Sequence, residues 1–133
     1  MKFRDLMSFG NFLFLEDIKE FGPLELQIAL EFTDSPKSKP IARKIVFQSY
    51  VAFEVIAEHF DRVDEKEIFK GNLIRIYEKS NYLDYIRLIT YAEEIHPETP
   101  LVHYQFVCED HIINVISLEE EPQVIFLKGA CTQ

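Results

Sequence analysis

The sequence predicts a β-rich α+β domain, an antiparallel sandwich or strongly curved sheet, with one helix at about residues 81–91 packed on it. Three observations carry this. From Leu24 to Thr33 the apolar Leu24, Leu26, Ile28, Leu30 and Phe32 alternate with Glu25, Gln27, Ala29, Glu31 and Thr33. That period is the mark of a strand with one dry face and one wet face. Residues 101–118 read as a hairpin whose polarity matches across the ladder. Ser80 stands before the one stretch with clear helical spacing.

The elements follow in order. Asn11 to Glu20 is the first strand region. Phe12, Phe14 and Ile18 share one parity and Leu13 and Leu15 the other, so both faces are expected to be partly covered. Gly22–Pro23 marks a turn before the strand at 24–33. Asp34–Pro40, rich in Pro, Ser and Lys, reads as a hairpin connection. Neither side of it is long enough for a core of its own, so residues 1–133 are expected to form one domain.

Residues 43–58 read as one long strand, with Ile45, Phe47, Ser49, Val51, Phe53, Val55 and Ala57 on one parity. Val51, Val55 and Glu58 also fit a helix, but the β-branched and aromatic content favours strand. Asp61–Lys66 is a charged turn, Ile68–Tyr77 is strand-like, and Gly71–Asn72 offers a second turn.

Ser80 is a good N-cap, because its hydroxyl can accept a free first-turn N–H. Tyr82, Tyr85, Ile86 and Ile89 follow at i, i+3, i+4 and i+7, and Asp84 suits the positive end of the helix dipole. His96–Pro97 and Thr99–Pro100 prevent continuation.

The second hairpin turns at Glu109–Asp110 and pairs Cys108 with His111, Phe106 with Ile113, Tyr104 with Val115 and Val102 with Ser117, while Gln105 meets Asn114 on the other face. That other face also carries His103, Val107, Ile112, Ile116 and Leu118, too apolar for open water. Either the helix covers it, or a homodimer forms through Ile112, Ile116 and Leu118. Val124–Leu127 adds a short last strand.

With 47% apolar residues and twelve Phe, the chain can fill a core without staples. The net charge of -9 opposes phosphate backbones and anionic lipid, and it attracts a basic protein partner or a cation at long range. Acidity also simply keeps a small protein soluble. Two cysteines make no disulfide framework. Asp5, Asn11 and Glu16 interrupt any secretory hydrophobic segment, and no run approaches the roughly 20 apolar residues of a membrane span. A cytoplasmic protein with reduced thiols is expected.

Cys108 and His111 form the sharpest catalytic candidate, since a His beside a Cys can generate a thiolate. The bland reading is a small Cys buried at a strand end, and no Gly-rich turn follows it. Cys108, in parity with Phe106, is expected to be buried and slow to react, and Cys131 to be exposed. The histidines at 59, 96, 103 and 111 lack metal-ligand spacing and read as surface or edge residues, so no metal is expected. The carboxylate pairs Glu54/Glu58 and Glu25/Glu31 suit a hydrolase on paper and a solvated strand face in practice. If the strands at 24–33 and 43–58 are neighbours, Glu25, Gln27, Glu31, Gln48, Tyr50, Glu54 and Glu58 gather on one face suited to a basic surface. Of these, Glu25, Glu31, Tyr50, Glu54 and Glu58 are the partner-binding candidates. Nucleotide, metalloprotease, redox and EF-hand motifs are absent, and no cofactor is expected.

The function this favours is a non-catalytic protein-interaction domain of bacterial type, neutralising a basic toxin or nuclease. The alternative is a small-molecule-binding or hydrolytic β-domain with a pocket between sheet and helix. The placement of the carboxylates separates them: spread over a convex face they favour a protein partner, and gathered with a histidine in a cleft they favour an enzyme.

Overall fold

The computed structural model describes residues 2–33, 35 and 37–127. Among these, nine strands form two antiparallel sheets. Strand β1 is Phe12–Phe21, β2 Glu25–Thr33, β3 Ile41–Phe47 and β9 Gln123–Leu127, and they make a sheet in the order β1-β2-β3-β9. Strand β4 is Tyr50–Ala57, β5 Ile68–Gly71, β6 Ile74–Lys79, β7 Val102–Val107 and β8 His111–Ser117, and they make the second sheet in the order β4-β8-β7-β6-β5. The expected β-rich sandwich is therefore present, and the longest helix, α2 (Asn81–Ile89), packs on the second sheet.

The clean alternation of β2 becomes a strict burial alternation, with Leu26, Ile28, Leu30 and Phe32 turned inward. Leu24 is the exception: it lies in the turn at φ 65° and is exposed. The mixed parity of β1 has a different cause from the one expected. A β-bulge lies between Leu15 and Asp17, so Leu13 and Leu15 before it and Ile18 after it all pack toward the core. One extra residue shifts the side-chain period by one, which is what a bulge does.

Residues 43–58 are not one strand. The chain leaves the first sheet after Phe47 and enters the second at Tyr50. The crossover is held from the far side of the chain: a Glu119 carboxylate oxygen accepts the N–H groups of both Gln48 and Ser49, the latter at 2.8 Å. Ile68–Tyr77 likewise splits into the β5–β6 hairpin. Gly71 sits there at φ 101°, and a Cβ on it would collide with the Ile74 carbonyl. The 101–118 hairpin has the expected register at every pair, from Val102 opposite Ser117 to Phe106 opposite Ile113. Cys108 and His111 close the two-residue loop through reciprocal backbone bonds of 2.8 and 3.3 Å.

The core lies between the sheets. Phe47 from the first sheet meets Tyr104 and Phe106 of the second edge-on, with ring centroids 5.2 and 6.3 Å apart. A short helix that the sequence did not suggest, α1 (Phe3–Leu6), supplies the other half of this cluster. Its Phe3 ring stands perpendicular to Tyr104 at 5.3 Å and to Phe106 at 6.1 Å, and Phe3 and Leu6 are both fully buried. Edge-to-face rings of this kind add to the stabilisation that burial alone provides.

Helix α2 starts as expected: Ser80 Oγ accepts the Leu83 N–H at 3.0 Å. Its inward face is rotated from the expected one. Leu83 and Ile86 are buried, whereas Tyr85 and Ile89 are exposed. At nine residues the helix is too short to persist alone. Leu83 and Ile86 hold it by packing with Leu101 and Ile116, each contributing about 1.5–3 kcal/mol if fully buried. A second short helix, α3 (Ala92–Ile95), follows and buries Ala92 in the same cluster. Ile116 is covered by this cluster, Leu118 packs partly against it, and Ile112 is buried as well, so the residues expected at a homodimer contact lie largely beneath their own chain.

Phe3→Ala should lower unfolding free energy by about 3–5 kcal/mol, the range for a buried aromatic truncated to Ala. Urea denaturation of the full chain checks this, and a loss under about 1 kcal/mol would mean that the N-terminal segment is not part of the core.

Candidate functional site

Strands β7 and β8 are covered on both faces. The inner face is apolar, and the outer face places His103, Gln105 and Asn114 under α2 and the 58–67 segment, with 2%, 7% and 4% of their surface exposed. Polar groups that far from water need partners. The register places Gln105 opposite Asn114, and β6 brings Arg75 opposite Gln105 and Tyr77 opposite His103.

The resulting network is continuous. Tyr77 O–H donates to Gln105 Oε1 at 2.8 Å, and Arg75 reaches the same oxygen at 3.3 Å. Gln105 Nε2 donates to Asn114 Oδ1 at 3.0 Å, and Asn114 Nδ2 donates to a Glu54 carboxylate oxygen at 2.9 Å. His103 Nε2 lies 2.8 Å from Asn114 Oδ1, and Nδ1 lies 2.6 Å from Ser80 Oγ. Asn114 Oδ1 can only accept, so His103 Nε2 carries the proton and Nδ1 accepts from the Ser80 hydroxyl. The Tyr77 ring stacks on His103 at 4.6 Å.

Serine, histidine and asparagine thus stand in the order of an acyl-transfer triad. Ser80, however, is 1% exposed, and its oxygen already caps α2. It does not line the cleft beside the network. The arrangement fastens the helix to the sheet and leaves no nucleophile facing a substrate.

That cleft has a volume of about 300 Å³. Its floor is His103, Gln105 and Asn114, one wall is Tyr82 and Phe60, and Glu54, Asp61, Asp64 and Glu67 surround it, with Arg62 the one cation among the described lining residues. Asn81 fixes the acidic loop to the start of α2: its N–H donates to Glu67 at 2.9 Å and its side-chain amide to Asp64 at 2.8 Å. The second of these bonds is visible at Asp64, whose carboxyl is held below its usual pKa first by the Asn81 side-chain amide and then by the Lys66 N–H. Burial pushes the Tyr82 hydroxyl well above its ordinary pKa, and the Glu54 charge adds to this.

The partner-binding candidates do not gather as expected. Glu25 and Glu31 are on β2 of the first sheet, while Tyr50 and Glu54 are on β4 of the second and Glu58 is in the turn after it. The single strand that would have aligned them is broken at Gln48–Ser49. Glu25 accepts from Gln27 at 2.6 Å. Glu31 is raised in pKa by burial and by the neighbouring Glu16 charge. Tyr50 donates its hydroxyl to Glu20. Only Glu54 belongs to the cleft. Its neighbours there come from Asp61–Lys66, which looked like an ordinary charged turn, from Glu67 just beyond it, and from His103, which looked like a surface or edge histidine.

Cys108 is 2% exposed within the main core, and burial pushes its thiol up to about 12, with the Glu109 charge adding to the shift. His111 is exposed at the strand end. Sharing a hairpin end does not give the pair the electropositive, accessible setting that a reactive thiolate needs. Cys131 lies outside the described residues. His103 and His111 fall on opposite faces of the hairpin, and among the described residues no group of three His, Cys, Asp or Glu is placed to hold a metal ion.

No protein-family model matches this chain, and no curated protein or solved structure is significantly similar to it.

Burial lowers the His103 pKa to about 4, against the Asn114 bond, which favours the charged form. The unfolded chain therefore binds the proton more tightly. Stability supplied by neutral His103 is present above about pH 6.5 and is lost as pH falls toward 4. The full effect is about 3 kcal/mol. Urea midpoints for the chain and for His103→Gln, measured from pH 7 to 4, should converge as pH falls; parallel curves would refute the assignment. Thiol labelling gives a second check. Native Cys108 in a Cys131→Ser chain should react only on unfolding, and rapid modification under native conditions would reopen the Cys–His reading.

Proposed function

We propose that this chain is a non-catalytic, cytoplasmic protein-interaction domain that binds a basic protein through the outer side of the helices that cover the second sheet. The observation that carries this reading is the outer side of α2 and α3. Tyr85, Leu88 and Ile89 share one helical face of α2, and the next few residues add the exposed Tyr91 and Ile95 of α3; Leu88, Tyr91 and Ile95 are 83%, 77% and 68% exposed. Scattered exposed apolar residues need no explanation, but a run of large side chains at one place marks an interaction surface. Aromatic and aliphatic anchors inside a polar rim are the usual anatomy of such a surface.

Charge decides the class of partner. Asn81, which binds the acidic loop, precedes Tyr85 by one helical turn, so the apolar face and the carboxylates of the cleft adjoin along α2. The chain carries a net charge of -9, which steers positively charged proteins toward it. Among the described residues no helix is long and apolar enough to cross a membrane. Neutralising a basic toxin or nuclease would use a domain of this size and charge, an argument from physical character alone.

The enzymatic alternative draws support from the gathering of carboxylates with His103 in a cleft. Against it stands the commitment of each candidate catalytic group: Ser80 to the cap, His103 to Ser80 and Asn114, and Cys108 to the core.

The test begins with capture from lysate at low and high salt and continues with the purified partner. The partner should be basic, and association should slow as salt rises. Leu88→Asp should weaken binding by about tenfold or more, with the unfolding midpoint changed little because the side chain is solvent-facing. An acidic partner, or salt-insensitive binding that Leu88→Asp leaves intact, would refute the proposal.

A further inference from the structure

We propose that the cleft over His103, Gln105 and Asn114 is a receptor for one arginine side chain of the partner. This inference rests on the interaction reading above and names the chemistry at its centre. It starts from Glu54. That carboxylate is half-buried, has one oxygen held by Asn114 Nδ2 at 2.9 Å, and makes no ion pair among the described residues. A negative charge in a partly dry cavity normally has a counter-charge or titrates. The network beneath it is neutral: His103 lacks a second proton, and the two amides carry no charge. Arg75 reaches the network at Gln105, on the side away from Glu54, and does not line the cavity. Arg62 does line it, but it makes no ion pair with Glu54 or with any other carboxylate among the described residues.

Size and shape narrow the choice. A volume of about 300 Å³ is at the small end of the ligand-pocket range, which runs to about 1,000 Å³. It suits one long side chain better than a large cofactor. The Tyr82 ring forms a wall of the cavity, while Glu54 and Glu67 each use one carboxylate oxygen in a bond to this chain. A planar guanidinium stacks on an aromatic face and forks its N–H groups onto carboxylate oxygens; an ammonium is a strongly hydrated point charge that gains less from either. The chain makes such a stack itself nearby, where the Arg75 guanidinium lies 4.1 Å from the Phe69 ring centre. Arginine is also among the residues that most often dominate the energy of protein interfaces.

The experiment uses the full chain labelled with 15N and follows the side-chain amides of Gln105 and Asn114. N-acetyl-arginine methylamide is titrated in, in parallel with its lysine and citrulline counterparts and with agmatine. The blocked arginine should shift both amides saturably. Lysine should bind more weakly, and citrulline, which keeps the shape and loses the charge, should produce no saturable shift. Glu54→Gln keeps the oxygen that Asn114 donates to while removing the charge, and it should weaken the arginine probe about tenfold, the loss of one charge-assisted contact. Glu58→Gln, outside the cleft, should leave it unchanged. No saturable shift at these amides, equal response to arginine and citrulline, or full binding by Glu54→Gln would overturn the proposal. Tighter binding of agmatine than of blocked arginine would also overturn it, in favour of a free amine metabolite. If the probes fail while a basic partner still depends on Leu88, this inference falls and the interaction reading stands. If the probes bind and no partner responds to Leu88→Asp, the interaction reading falls instead.

Discussion

The β7–β8 hairpin has no face in water, and the rest of the structure follows from that. One side must be apolar enough to receive Phe3 and Phe47, and Tyr104, Phe106, Ile113 and Val115 meet the requirement. The other side carries His103, Gln105 and Asn114, which cannot be buried unpaired. Their partners come from everything around them: Tyr77 and Arg75 from β6, Glu54 from β4 and Ser80 from the start of α2. The hydrogen-bond requirement of three side chains thus fixes where the helix begins and which strands flank the hairpin. A network with every member partnered specifies one arrangement, whereas an apolar patch at the same place would tolerate several.

A second constraint acts at the crossover. The chain passes from one sheet to the other within two residues, which leaves the Gln48 and Ser49 N–H groups without ladder partners. Glu119 accepts both, and Ser117 Oγ lies 3.3 Å from the same carboxylate oxygen. The end of β8 is therefore tied to the point where the sheets exchange strands. Tyr104 reinforces the joint from inside by donating its hydroxyl toward the Glu119 and Glu120 carbonyls, at 2.6 and 2.8 Å. The acidic run 119–121 reads in isolation as a solvated turn. Its first member is a structural acceptor, and that role depends on residues about seventy positions away.

What was legible in the sequence was local. The 101–118 register is set by a two-residue loop and a polarity match over a few positions, and both are written in adjacent residues. Ser80 capping α2 is equally local. The inward face of α2 was not. Tyr85 and Ile89 fit the helical period as well as Leu83 and Ile86 do, and only the surface beneath decides which pair is buried. The strand break at Gln48–Ser49 was hidden because alternation continues across it; a chain that changes sheets can keep its period while changing its neighbours. Helix α1 was hidden because four residues carry no period. A pocket between sheet and helix was anticipated only in the alternative reading, and its lining could not be read, since Glu54, Asp61, Asp64, Glu67, Asn81, Tyr82 and His103 come from separate segments and each has an ordinary local explanation.

The same geometry explains why a site that gathers a serine, a histidine and carboxylates points to recognition. Catalysis needs a group that can change partners during a reaction. Here His103 is held at both ring nitrogens, and giving up either bond would leave the buried Ser80 hydroxyl or a buried amide without its partner. Glu54 is different. It lies at the edge of the network, takes one bond from it, and turns toward a cavity that contains more negative than positive side chains. A rigid neutral floor with a charged rim is pre-organised for an incoming cation, because nothing beneath the ligand has to move when it arrives. The apolar face of α2 and α3 then supplies what the cleft lacks, surface to remove from water, while the carboxylates supply direction.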